Sequence, residues 1–182
     1  MARQREDILH PGELDAQQRF GSDRRWPSPA IDAMMAPLIS PGLAAFLEAQ
    51  QFFFIATADA EGNCDASFRG AERNASGQLL PALRVLDPQR LVFPDYAGNG
   101  LFNSLGNLLV NPHIGMVFVD FGRQLRARVN GRAEILPVDA LLHEQWPMAE
   151  RLVLVTVEQA YGNCRARIPR LVPASEAGED AA

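Results

Sequence analysis

From residue 125 to residue 135 the chain alternates. Leu125, Ala127, Val129, Ala133 and Ile135 are apolar, while Arg126, Arg128, Asn130, Arg132 and Glu134 between them are polar. A period of two places the two sets on opposite sides of a strand, so the pattern predicts a half-buried antiparallel strand with Gly131 as a bulge. Residues 52–58, FFFIATA, form an apolar run that predicts a buried strand. The turn residues of 59–63 predict a hairpin returning through residues 64–69, with Asp65, Ser67 and Arg69 on one face and Cys64, Ala66 and Phe68 on the other. Further strands are predicted over 84–86, 90–93 and 114–121. Residues 151–157, RLVLVTV, are apolar on both faces and predict a strand that is central or lies at a subunit interface.

Helical spacing is shorter and rarer. Residues 13–20 form one candidate. Ser40-Pro41-Gly42 opens a second that runs to about Gln50, with Leu43, Phe46 and Leu47 as its buried face. Residues 138–145 form another. The most informative stretch is 94–112, PDYAGNGLFNSLGNLLVNP. It follows a strand and opens with turn residues. It then places Leu101, Leu105, Leu108 and Leu109 at helix spacing, and it ends at Asn111-Pro112. A strand therefore feeds a glycine-bearing turn, which feeds a helix N-terminus whose free N–H groups suit an anion such as a phosphate. An ordinary capped surface loop would look much the same.

About six strands with short antiparallel links and three short helices predict a mainly β protein, a small antiparallel barrel rather than a doubly wound sheet. Residues 1–40 carry little apolar periodicity and are expected to form an arm packed on the barrel or on a second subunit. Trp26 would be a packing anchor. The barrel domain is expected over 41–172, with 173–182 as a disordered acidic tail.

Composition narrows the chemistry. A chain of 182 residues is long enough for one domain with a real core. A net charge of −5, without a basic patch, argues against a nucleic-acid partner. No apolar run approaches a membrane span, and the N-terminus lacks the apolar core of a signal peptide, so a cytoplasmic protein is expected. His10, His113 and His143 are scattered without metal-motif spacing, so no metal is expected, and His113 reads as structural. Cys64 and Cys164 read as free, small, buried residues. Trp146 reads as core, with a role covering a ligand from the other subunit as the alternative.

Several segments taken together resemble the FMN-binding split barrels of the pyridoxamine 5′-phosphate oxidase-like superfamily, nearest its flavin-nucleotide-binding branch. They are LHPGELDAQQRFG, FFFIATADAEGNCDASFRG, PDYAGNGLFNSLGNLLVNPHIGMVFVDF and LRARVNGRAEI, in that order over most of residues 9–136. The resemblance implies a six-stranded split barrel and a homodimer with one FMN in each of two grooves between subunits. One departure stands out. The oxidases proper carry an Arg-Lys pair that grips the flavin phosphate in the turn after the central strand, and here that turn reads Gly98-Asn99-Gly100. Oxidation of pyridoxamine phosphate is therefore not expected, even where FMN binding is.

Under this resemblance Arg69 is the expected phosphate cation, Ser67 shares its face, and Asn99, Ser104 and the N–H groups around Phe102 and Asn103 complete the cradle. Without it, Arg69 reads equally well as a solvent-facing strand arginine. Pro94, Asp95 and Tyr96, with Ala66 and Ser67, are candidates for the flavin's pyrimidine edge, Asp95 being alternatively a turn cap. Asn107 bonds either the flavin or its own surroundings. The implied activity is that of an FMN-dependent oxidoreductase with a small-molecule substrate or an electron donor such as NAD(P)H. A non-catalytic flavin-binding or storage protein, a split barrel holding haem or a deazaflavin, and a cofactor-free interaction module are the rivals.

Overall fold

The computed structural model describes residues 3–21, 27–138, 140–163 and 165–171. Seven strands build one antiparallel sheet: β1 (Phe52–Ala58), β2 (Cys64–Gly70), β3 (Arg84–Asp87), β4 (Arg90–Tyr96), β5 (His113–Asp120), β6 (Leu125–Leu136) and β7 (Ala149–Asn163). Their order across the sheet is β2-β1-β5-β6-β7-β4-β3. The count exceeds the expected six because β3 and β4 are two full strands; separately, β7 is much longer than its apolar run. Six helices occur among the described residues: α1 (Arg5–Ile8), α2 (Pro11–Phe20), α3 (Ser28–Met34), α4 (Pro41–Glu48), α5 (Asn103–Val110) and α6 (Ala140–Gln145).

The sheet rolls up because its inner face is aromatic. Phe53 of β1 stacks on Phe118 of β5 at 5.1 Å and meets Phe93 of β4 edge-on at 5.3 Å. β1 and β4 lie far apart in the strand order, so this contact exists only in a closed barrel. Leu105 and Leu108 of α5 join the same core, along with Leu47 of α4. Leu101 and Leu109 depart from the expected helical face. Leu101 precedes the helix, and both side chains are exposed.

β7 spans both halves of the barrel, pairing with β6 on one side and β4 on the other. Its register against β6 slips beside Gly131: Asn130 faces Gln159 and Gly131 faces Val157, so Glu158 has no partner. The expected bulge is present. A Cβ at Gly131 would lie 2.1 Å from the Thr156 carbonyl oxygen, so only glycine permits this approach.

The N-terminal helices carry a small cluster of their own, Ile8, Leu9 and Ile31, which the weak periodicity did not foreshadow. The segment after α3 ties to the barrel by backbone bonds from Ala160 N to Ala36 O and from Ile39 N to Pro88 O. Trp26, Cys164 and residues 173–182 lie outside the described residues. No helix among the described residues is long and apolar enough to cross a membrane.

Candidate functional site

Alternation along β2 decides which of its side chains can serve a site. Asp65, Ser67 and Arg69 face inward and are partly buried, while Ala66 and Phe68 face out. Arg69 is therefore not a solvent-facing strand arginine. β4 brings Asp95 and Tyr96 to the same place, and the turn before α5 brings Gly98, Asn99, Gly100 and Phe102. With Asn103, Ser104 and Leu105 from the first turn of α5, these residues line one cleft.

Every residue expected at the site lines this cleft except Pro94 and Asn107. Asn107 points the other way, and its Nδ2 donates to Thr57 Oγ1 at 3.1 Å. Thr57 is itself buried, so this pair satisfies polar atoms between α5 and β1.

The cleft's chemistry is set by who bonds whom. Asp95, 5% exposed, accepts from Arg69 Nη1 at 3.1 Å through Oδ1 and from Arg151 Nη1 at 2.8 Å through Oδ2. Asp95 is thus more than a turn cap. Arg69 keeps a buried Nε with no hydrogen-bond partner. A buried N–H of a cation left unpaired costs about 1–3 kcal/mol or more. The α5 N-terminus also lacks a side-chain cap, leaving the first-turn N–H groups directed at the cleft. Phe102 sets that geometry with a left-handed φ of 54°, a conformation that costs an aromatic residue of order 1–3 kcal/mol.

Two expected donors are partly committed. Ser104 Oγ donates to Asp65 Oδ2 at 3.0 Å, so Ser104 offers its backbone N–H and a hydroxyl able only to accept. Asn99 Oδ1 accepts from Leu101 N at 3.0 Å, which leaves its Nδ2 for a ligand. Tyr96 brings a buried hydroxyl without a partner. Burial, with the nearby Glu72 charge second, pushes its phenol up to about 12, so it stays a donor at any ordinary pH. A spectrophotometric titration should find one phenol ionising near pH 12, and Tyr96→Phe should remove it. A folded protein in which that substitution leaves the high-pH step intact would assign it elsewhere. The sign also follows: because the folded value lies above the unfolded value of about 10, the stability linked to Tyr96 is intact below pH 10 and is lost as pH rises toward 12.

The other singled-out residues lie elsewhere. Trp146 is fully buried and its Nε1 donates to Pro81 O at 2.7 Å, a core role. Cys64 is exposed, contrary to expectation, because β2 turns its even-numbered side chains outward. His113 is exposed at the start of β5. Its Nδ1 lies 2.8 Å from Asn111 Oδ1 and its Nε2 lies 3.1 Å from Arg132 Nη1. An arginine can only donate, so in this contact Nε2 accepts, and the imidazole links Asn111 to Arg132. Arg151 escaped the sequence reading because it sits in an apolar run more than fifty residues from its partner.

Residues 39–176 match the family model of pyridoxamine 5′-phosphate oxidase. The chain belongs to the pyridoxamine 5′-phosphate oxidase family. The barrel is that of a pyridoxamine 5′-phosphate oxidase-like protein of Lactobacillus delbrueckii, similar at 16% identity with a TM-score of 0.54 over 70% of this chain and 98% of the other. HupZ of Group A Streptococcus is similar at 20% identity with a TM-score of 0.50, over 68% of this chain and 93% of its own. An FMN-binding protein of Syntrophomonas wolfei is similar at 7% identity with a TM-score of 0.48, over 68% and 87%. At these identities the first two likenesses establish the fold alone. No protein of curated function matches the chain. In this member of the pyridoxamine 5′-phosphate oxidase family the turn Gly98-Asn99-Gly100 supplies no cation. Its guanidinium groups reach the cleft region from β2 and β7 instead.

Proposed function

We propose that the chain is an FMN-binding flavoprotein, a homodimer that holds FMN between subunits and works as an FMN-dependent oxidoreductase. The reading is carried by the unpartnered Nε of Arg69, set beside the uncapped first turn of α5. A phosphate dianion meets charge-assisted and backbone donors together at such a place. Arg69, Asn99 and the N–H groups of the first turn would hold the phosphate, and Tyr96 with Ser67 would donate to the rest of the ligand. FMN supplies electron transfer at its ring, and the chain supplies position, hydrogen bonds and exclusion of water.

Two observations support a second subunit. The cleft encloses about 200 Å³, less than the roughly 300–1,000 Å³ of a complete small-molecule site. The outer face of the β2-β1-β5 sheet also shows Phe68 at 59% and Phe54 at 41% exposure, with Phe52 stacked on both Phe68 and Phe121. An aromatic patch of that kind marks an interaction surface. The bonding of His113 weighs against the haem rival, because ligation through Nε2 would have to displace Arg132.

The test is the visible spectrum of the purified protein, followed by titration with FMN, riboflavin, haemin and a deazaflavin. Saturation at one FMN per protomer, with riboflavin bound more weakly, is the expected result. A colourless protein that takes haemin or the deazaflavin but not FMN would overturn the reading. Turnover of NAD(P)H by the FMN-loaded protein separates an oxidoreductase from a carrier.

A further inference from the structure

The groups that line the cleft carry the wrong charge for an anion. Asp65 and Asp95 are carboxylates and Arg69 is the only cation among the lining residues. Taken alone, that set is net negative and would repel a phosphate. Arg151 changes the balance without lining the cleft. Its Nη1 lies 2.8 Å from Asp95 Oδ2, and its guanidinium stands over the Phe102 ring at 5.1 Å from the centroid. Its remaining carboxylate partner, Glu150, is 2.8 Å from Nη2 but lies on the surface, where water screens it.

We propose that Arg151 is a positioning residue that sets the cleft's preference for a phosphate-bearing ligand, by sharing the Asp95 carboxylate with Arg69. This rests on the FMN reading above and extends it to a residue which that reading leaves out. The physical argument concerns the two oxygens of Asp95. While Arg151 occupies Oδ2, Arg69 reaches Asp95 only through Nη1, and its buried Nε stays without a partner. Without Arg151, the buried Oδ2 has no donor. The cheapest repair turns Arg69 side-on, with two of its nitrogens on the two Asp95 oxygens, because the bidentate arrangement is the strongest that pair can make. The donor edge meant for the ligand is then spent inside the protein. Arg151 also packs on Phe102, the left-handed residue that aims the α5 N–H groups, so its loss loosens the other half of the cradle.

The discriminating readout is the ratio of FMN to riboflavin affinity, which isolates the phosphate. Arg151→Ala should weaken FMN binding about tenfold or more, the equivalent of roughly 1.4 kcal/mol, and riboflavin binding by less than about threefold. Arg151→Lys, which keeps the cation, should recover most of the ratio. Adding Arg151→Ala to Arg69→Ala should cost less than the sum of the two single effects, since the two share one carboxylate. Glu150→Gln should leave the ratio unchanged. Circular dichroism checks that each variant folds, and Arg151→Gln, closer in volume, replaces the alanine variant should that one not fold. An unchanged ratio in a folded variant of a protein that does prefer FMN over riboflavin overturns the role of Arg151 alone. A wild-type protein that shows no preference for FMN overturns both this role and the reading beneath it.

Discussion

Arg69→Ala is expected to weaken FMN binding by on the order of 2–4 kcal/mol, roughly thirty- to a thousandfold. The size follows from what is lost. Arg69 sits on the inward face of β2, and its Nε is buried without a partner. Removing the side chain deletes the lining cation and leaves Asp65 and Asp95 to face the phosphate. It also strips Asp95 of one of its two arginines. Titration by quenching of flavin fluorescence measures the effect, and the dependence of affinity on salt should flatten in the variant. Unchanged FMN affinity would remove Arg69 from the site. A fall shared equally by riboflavin would place it away from the phosphate.

The second large effect is on stability. Trp146→Ala should destabilise the fold by about 3–5 kcal/mol, the usual cost of truncating a buried aromatic ring. Trp146 has 0% exposure and packs with Val92 of β4 and Leu152 of β7 in a second core outside the barrel's main one. Its indole N–H holds the Pro81 carbonyl and so pins the long connection between β2 and β3. Trp146→Phe keeps most of the apolar volume and loses that bond, so it should cost much less than the alanine variant. Urea unfolding reads both. A loss under about 1 kcal/mol for Trp146→Ala would mean that the pocket collapses around the smaller residue.

The strands were legible because the barrel buries one face, so the alternation of residues 125–135 and the hairpin of 52–69 appear directly in the sequence. The turn and helix after β4 were legible for a different reason: glycine, asparagine and proline specify backbone conformation locally. What escaped was non-local. Leu109 sits at a helical position but on the open side of α5, and spacing alone cannot say which leucines find a partner. Asn107 fits a binding residue by type, yet its direction is fixed by Thr57, fifty positions away. Arg151 is the sharpest case. It opens a strand that reads as apolar on both faces, and only the pairing of β4 with β7, which sets Asp95 opposite Arg151, gives it a role.

The unpaired Glu158 has an effect along the whole of β7. Ahead of it the odd-numbered Val153, Val155 and Val157 point into the barrel, and beyond it the even-numbered Ala160 does. One surplus residue thus reverses the parity of a single strand midway. This keeps apolar side chains inward on both sides of the bulge while β6 pairs with both halves and β4 with the first. Deleting Glu158 would close the bulge into one continuous ladder, with Val157 opposite Gly131, Gln159 opposite Asn130 and Ala160 still inward, so the change would fall on the local twist of the β6–β7 seam and leave Arg151 in place.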